Sequence, residues 1–273
     1  MFADVELAAK IENAEANLTR HAACAFRGSN HANAAFTIDL GGGTAAFLRP
    51  GSPMNKVIGI FGGFPPEPEL AHLERLYHER AEPVRIELST LAHADIGRRL
   101  TERGYRLLGF ENVLGRALKV DESVPRREIS VERITAELTK EWIRVVVDGF
   151  ACPDETGVVV DSFSRGIIEQ AMSDFLGVEG ISRYLATRNG MAAGGASMRI
   201  YRDIALMTGA ATLKEHRRCG VQSALLERRL RDAGALGAQI AVITTSGGTR
   251  SQANAMRHGF SLLYSRAILV LAK

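Results

Sequence analysis

Residues 204–230, IALMTGAATLKEHRRCGVQSALLERRL, read as a strand that delivers a basic loop onto a helix. Residues 204–212 are apolar or small and carry no charge, which suits a buried strand. Lys214, Glu215, His216, Arg217 and Arg218 follow, and five such side chains cannot all be buried, so the chain surfaces there. Gly220 allows a close backbone approach, while Val221, Ala224 and Leu225, widened by Leu226 and Leu230, form an apolar helical stripe. A helix is therefore predicted to start at about Gly220. Its first amides have no intrahelical acceptor and carry the positive end of the helix dipole, and Arg217 and Arg218 add charge. Phosphate or diphosphate is the ligand that such a seat prefers.

The loop Arg217-Arg218-Cys219-Gly220-Val221-Gln222 resembles the Arg/Gln-x-x-Gly-x-Gly/Ala loop of the GCN5-related N-acetyltransferases (GNAT), with Gln222 where Gly or Ala is usual. The order of elements extends the likeness over residues 129–273: the helix after the loop, the strand of residues 239–246, a short helix from about Ser251, His258-Gly259-Phe260, and the strand of residues 262–271. The resemblance implies an α/β (α+β) fold and acetyl-CoA as acyl donor. It assigns donor contacts to Ala210, Ala211 and Thr212 beside the pantetheine arm, to Arg217, Arg218, Cys219, Gly220, Val221, Gln222 and Ser223 around the diphosphate, and to Asn254. The implied activity is N-acetyl transfer by direct attack of an amine in a ternary complex. The alternative is a non-catalytic acyl-CoA-binding or sensing protein. The tyrosine that commonly protonates the departing thiolate in this family is replaced by Ala255, leaving Tyr264, Tyr201, Ser251 or water as proton source and no catalytic residue assigned.

The two ends of the chain repeat one another. Residues 100–116, LTERGYRLLGFENVLGR, align with ANAMRHGFSLLYSRAILVL from Ala253 when Gly104 is matched to Gly259, and the strand of residues 84–90 falls opposite residues 240–246. This describes a duplicated unit rather than a solenoid. The expectation is two tandem GNAT-like domains, each a mixed, mostly antiparallel sheet flanked by helices: 1–122 without a cofactor loop, and 128–273 binding acetyl-CoA, joined by VDESVPRR at residues 120–127. In the first copy a strand at residues 56–61 runs into Gly62-Gly63-Phe64-Pro65-Pro66-Glu67-Pro68-Glu69 before a helix at residues 70–80. Prolines offer no amide hydrogen and the glutamates repel a diphosphate, so no coenzyme A is expected there.

Composition sets the remaining bounds. The chain has 273 residues, 46% hydrophobic and 24% charged, with net charge +3, as in an ordinary globular protein. Cys24, Cys152 and Cys219 are scattered and the histidines lack ligand spacing, so neither a disulfide framework nor a metal is expected. Asp4, Glu6 and Lys10 interrupt any leader, and no run of about 18 apolar residues occurs. A cytoplasmic protein is expected, with no membrane or nucleic-acid partner. Glu215, Glu227 and Asp232 break up the basic face of the helix that a nucleic acid would use.

The acceptor is read only as a small-molecule amine or a peptide, and the oligomeric state stays open, a homo-oligomer included. The helix EWIRVVVDGF is expected to turn Trp142, Val145, Val146 and Phe150 inward, and Asp148, Asp154, Glu155 and Asp161 are candidates for attracting a cationic amine. Gly41-Gly42-Gly43 is read as a hairpin turn and Gly194-Gly195 as a bulge or bend in a strand.

Overall fold

The computed structural model describes residues 1–28, 35–119, 128–152 and 163–272. The chain forms two compact units, and neither is one of the sequence halves. Phe2–Val113, Asp174–Glu179 and Leu262–Lys273 make one; Met1, Leu114–Ser173 and Gly180–Ser261 make the other. The proposed linker, residues 120–127, lies outside the described residues.

The first unit begins with helix α1 (Val5–Gly28), followed by strands β1 (Phe36–Leu40), β2 (Gly43–Phe47) and β3 (Lys56–Ile58). Helix α2 (Glu67–Glu79), strand β4 (Val84–Ser89), helix α3 (Ala94–Glu102) and strand β5 (Arg106–Ala117), taken through Val113, complete its sequential part. The final strand of the chain, β11 (Ser261–Leu271), joins this unit from Leu262 onward. It lies antiparallel beside β4 in register from Arg266↔Ser89 to Leu271↔Val84, and Leu269 is buried in the core with Leu88, Leu100 and Tyr105. A division at residues 122 and 128 would have put this strand in the other unit. Gly41 and Gly42 turn the β1–β2 hairpin, as the sequence predicts. Helix α2 begins three residues earlier than expected, because Pro68 is tolerated in the first turn, where its missing amide is not needed.

The second unit contains the end of β5, then β6 (Ile129–Arg133), α4 (Thr139–Ala151), α5 (Arg165–Leu176, through Ser173), β7 (Ile181–Arg188), β8 (Met191–Tyr201), β9 (Ile204–Thr212), α6 (Val221–Ala235), β10 (Ile240–Ser246) and α7 (Arg250–Arg257). Its strand order is β10-β9-β8-β7-β6. The duplication survives in backbone detail. Gly104 N and Tyr105 N bond Thr101 O and Leu100 O, while Gly259 N and Phe260 N bond Met256 O and Ala255 O at the matching positions. Both short helices thus stop in the same way before their strands.

Charge is buried in the first unit. Glu12 Oε1 accepts from Arg266 Nε and from Tyr264 Oη, each at 2.8 Å, and Glu15 stands 3.9 Å from Arg266. Lys56 Nζ reaches Glu87 at 3.0 Å, and Arg85 flanks the same carboxylate at 3.4 Å. Burial acts to raise the pKa of Glu87, but Lys56, Arg266 and Arg85 outweigh it and hold the carboxyl below its usual range. Glu111 takes the opposite course, since burial and then the Glu87 charge push its carboxyl up to about 7.

Two stability predictions follow from this network. Glu12→Ala leaves the Arg266 guanidinium, 1% exposed, without its main partner, and is expected to cost about 3–5 kcal/mol in urea unfolding. The folded state holds the Glu111 proton more tightly than the unfolded chain does. Its contribution is therefore present below the ordinary carboxyl range and is lost as pH rises through about 7. Glu111→Gln is expected to melt above the parent at pH 8 and level with it near pH 4; equal melting at both values would refute the assignment.

Candidate active site

In the second unit, β9 and β10 run parallel and pair only at Ile240↔Ile204, Ala241↔Ala205 and Val242↔Leu206, although both strands continue beyond. The parting has a local cause. The β8–β9 register shifts between Gly195 and Ser197, and Gly209 takes a positive φ of 53°, so β9 bends away where the bulge forms. The bulge or bend expected at Gly194-Gly195 is where the sequence put it. Lack of side chains matters on both faces of β8: a Cβ on Gly195 would meet Val146 of α4 at 2.6 Å, and one on Gly194 would meet Val221 of α6 at 2.7 Å. The two helices are thereby set close against opposite faces of the strand.

A cleft of about 570 Å³ opens at this parting. One wall is the end of β9, Ala210, Ala211 and Thr212; another is the loop and first turn of α6, with Arg218, Gly220, Val221, Gln222 and Ser223. Helix α7 adds Asn254 beside Ser223, whose hydroxyl donates to Asn254 Oδ1 at 3.1 Å. Of the residues assigned to the donor, all but Cys219 line this cleft. Cys219 is exposed in the loop, its thiol turned back to Arg217 O.

The loop is shaped for an anion. Arg218 (φ 60°) and Gly220 (φ 85°) take left-handed conformations on either side of Cys219, and Gly220 caps α6 without any side-chain hydrogen bond. The first intrahelical bond is Ala224 N to Gly220 O, and the amides of residues 218–223 have no acceptor among the described residues. Two further polar atoms of cleft-lining residues, Thr212 Oγ1 and His216 Nδ1, are buried without a partner among the described residues. Such orphaned groups cost about 1–3 kcal/mol each unless a ligand satisfies them. Among the described residues, the cleft lining holds four arginines and no carboxylate.

Arg217 has a role the sequence did not indicate. Its guanidinium donates to Gly149 O at 3.3 Å, to Thr212 O at 3.4 Å and to Cys152 O, so it ties the loop to the C-terminal end of α4. A cation at the negative end of a helix dipole is favourably placed. The side chain is thus occupied by protein carbonyls.

Other expectations are corrected. Phe150 is 38% exposed and lines the cleft instead of the core, because it follows Gly149, which is the residue packed against Ala211. Asp148 is bonded to Arg165 at 2.8 Å and flanked by Arg144, so its charge is already matched. Asp154, Glu155 and Asp161 lie outside the described residues. Tyr201 sits at the β8–β9 turn, at the far end of β9 from Thr212. Tyr264 belongs to the other unit, where burial and its bond to Glu12 push its pKa well up. Ser251 lines the cleft. Arg250 and Arg257 of α7 also line it; the reading of the sequence passed over them, although with Ala253 and Asn254 they repeat at helical spacing.

The matching position of the first unit is built differently. Glu69 N and Leu70 N both bond Pro66 O, at 3.0 and 3.1 Å, and the Glu67 carboxylate is bonded to Arg99 and Arg103. Arg99 lies over the Phe64 ring, 3.7 Å from its centroid.

No family model matches the chain, and no curated protein matches its sequence. Solved structures do match. A GCN5-related N-acetyltransferase from Kribbella flavida aligns at TM-score 0.62 and 16% identity, over 93% of this chain and 95% of that one. A tandem GNAT protein from the clavulanic acid biosynthesis pathway, solved without AcCoA, aligns at 0.58 and 13%, over 88% and 83%. A conserved protein of unknown function from Staphylococcus epidermidis aligns at 0.58 and 12%, over 83% and 89%. Identities this low speak for the fold alone, and the fold is that of the GCN5-related N-acetyltransferases in tandem form. Among the described residues, no group of three His, Cys, Asp or Glu is placed to hold a metal, and no helix is long and apolar enough to cross a membrane.

Arg217→Gln is expected to lower stability by about 1–3 kcal/mol in urea unfolding, through loss of charge-assisted bonds to the carbonyls of α4. An unchanged midpoint would mean that this strut carries no load.

Proposed function

We propose that the second unit binds acetyl-CoA in the β9–β10 cleft and transfers its acetyl group to an amine. The observation that carries this reading is the set of amides at residues 218–223 that have no acceptor among the described residues, in a cleft whose described lining carries arginines and no carboxylate. Those amides and the start of α6 hold the diphosphate, with Arg218 adding charge. Ala210, Ala211 and Thr212 run along the pantetheine arm, and Thr212 Oγ1 and His216 Nδ1 supply polar contacts that the protein itself leaves unmade. Asn254, fixed by Ser223, gives a further contact from the opposite wall. When bound, the donor supplies an activated thioester; the chain's part is to orient it, to offer β9 main-chain amides to its carbonyl, and to exclude water.

Arg217 departs from the direct donor contact first assigned to it and acts through the loop it anchors. Cys219 contributes its backbone amide. Ser251 Oγ and solvent remain as sources for the leaving-group proton. A non-catalytic acyl-CoA sensor is the second reading, favoured by Ala255: it is 1% exposed, packed in the core, and offers no proton where related proteins carry a tyrosine.

The first unit, with its prolines and its paired Glu67, is proposed to bind no coenzyme A. The acceptor is proposed as a small amine or a peptide amine.

Calorimetry is expected to give one coenzyme A per chain. Gly220→Val, which forces a β-branched residue to φ 85°, is expected to weaken binding more than tenfold (about 1.4 kcal/mol). Free-thiol release from acetyl-CoA with an amine library then separates the readings: turnover supports the transferase, saturable binding without turnover supports the sensor, and no binding refutes both.

A further inference from the structure

We propose that the side chain of Gln222 is itself a ligand-binding group, a neutral donor that reaches the diphosphate alongside the main-chain amides, and that its position is held for the ligand rather than for helix α6. The proposal rests on reading the cleft as a coenzyme A site, and it concerns a side chain where that reading uses the backbone.

The neighbouring side chains have other work. Arg217 is engaged with the carbonyls of Gly149 and Cys152. The Cys219 thiol turns back to Arg217 O, Val221 is packed in the core at 1% exposure, and the Ser223 hydroxyl donates to Asn254 Oδ1. Gln222 differs from all of these. It is half-buried, lines the cleft, and its carboxamide makes no hydrogen bond to any described residue.

Gln222 is the second residue of α6, directly after Val221 and the Gly220 cap. Side chains of a helix tilt toward its N-terminus, so this one is directed to the end at which the amides of residues 218–223 open. It does not fold over them, because α6 has no side-chain cap, and the seat stays open. His216 marks the same space independently: it is 6% exposed and lines the cleft with a buried Nδ1 that has no partner among the described residues. The chemistry of Gln222 suits an anion, since a carboxamide carries two N–H donors and no charge. The helix alone would be better served by an acid, because a carboxylate in the first turn gains from the dipole, yet α6 has none there. A carboxylate would repel the diphosphate; a carboxamide gives up the helix benefit and gains a contact to the ligand.

The test measures coenzyme A and dephospho-coenzyme A by calorimetry, both of which carry the diphosphate, on the parent and on Gln222→Ala, Gln222→Met and Gln222→Glu. Gln222→Met keeps the length and loses the donors, and is expected to bind both ligands about tenfold more weakly, as is Gln222→Ala. Gln222→Glu is expected to lose about a hundredfold or more for both while melting at or above the parent, a pairing of effects that a merely structural role would not give. Parent-like or tighter binding by Gln222→Met or Gln222→Ala overturns the proposal and leaves the cleft reading standing. So does a loss confined to coenzyme A, which would place the contact at the 3′-phosphate, or a Gln222→Glu variant that melts below the parent. If neither ligand binds the parent, the cleft reading falls and the proposal with it.

Discussion

Everything distinctive about this molecule depends on two strands that pair for three residues and then separate. A parallel pair that continued would have satisfied the edge of β9 and closed the sheet. Instead the β8–β9 register shift and the positive φ of Gly209 bend β9 away, and the backbone at Ala210–Thr212 is left beside open space. The cost of such an unpaired edge is contained because α4 and α6 clamp β8 from opposite faces, at contacts that only glycine at positions 194 and 195 can accommodate. Rigid packing on β8 holds the gap open.

The duplicated unit shows how the same backbone plan can be given two chemistries. Both copies run helix, strand, short helix and strand, and both end the short helix with the same pair of hydrogen bonds. At the start of α6 the chain spends two left-handed residues to turn a row of amides outward; at the start of α2, prolines remove amides and Pro66 O takes those of Glu69 and Leu70. Where the loop before α6 presents Arg218 to the cleft, α2 presents Glu67, matched by Arg99 of α3 and by Arg103 just after it. The first unit keeps its charges paired inside the fold, in the Glu12–Arg266 and Lys56–Glu87 contacts, where each partner lowers the desolvation cost of the other.

The strand, loop and helix around Gly220 were legible in the sequence because each is a local matter: apolar run, charge cluster, helical stripe. The repeat was legible for the same reason. The partner of β11 was not. β5 and β11 carry similar patterns, and hydrophobic periodicity says which face of a strand is buried without saying which neighbour it joins, so residues 262–271 were assigned to the second half although β11 pairs with β4. Phe150 was misread for a related reason: helical spacing placed it with Trp142 and Val146, but Gly149, lacking a side chain, lets α4 press on Ala211 and leaves the next residue at the cleft.

Arginine is where sequence reasoning is weakest, since a guanidinium can solvate a turn, brace a carbonyl or wait for an anion, and residue type cannot tell these apart. The chain contains each case. Arg217, which the loop pattern would aim at phosphate, braces Gly149 and Cys152; Arg229, in the middle of α6, is 2% exposed and donates to Ser197 O and Thr208 O, with burial pulling its pKa down to about 10. Arg229 thereby braces the strand pair at the edge of the bulge, bonding the carbonyls of Ser197 and Thr208, which are paired at one side of the register shift. Two arginines that look like surface charge in the sequence thus act on the scaffold, Arg217 at the rim of the cleft and Arg229 beside the β8–β9 register shift.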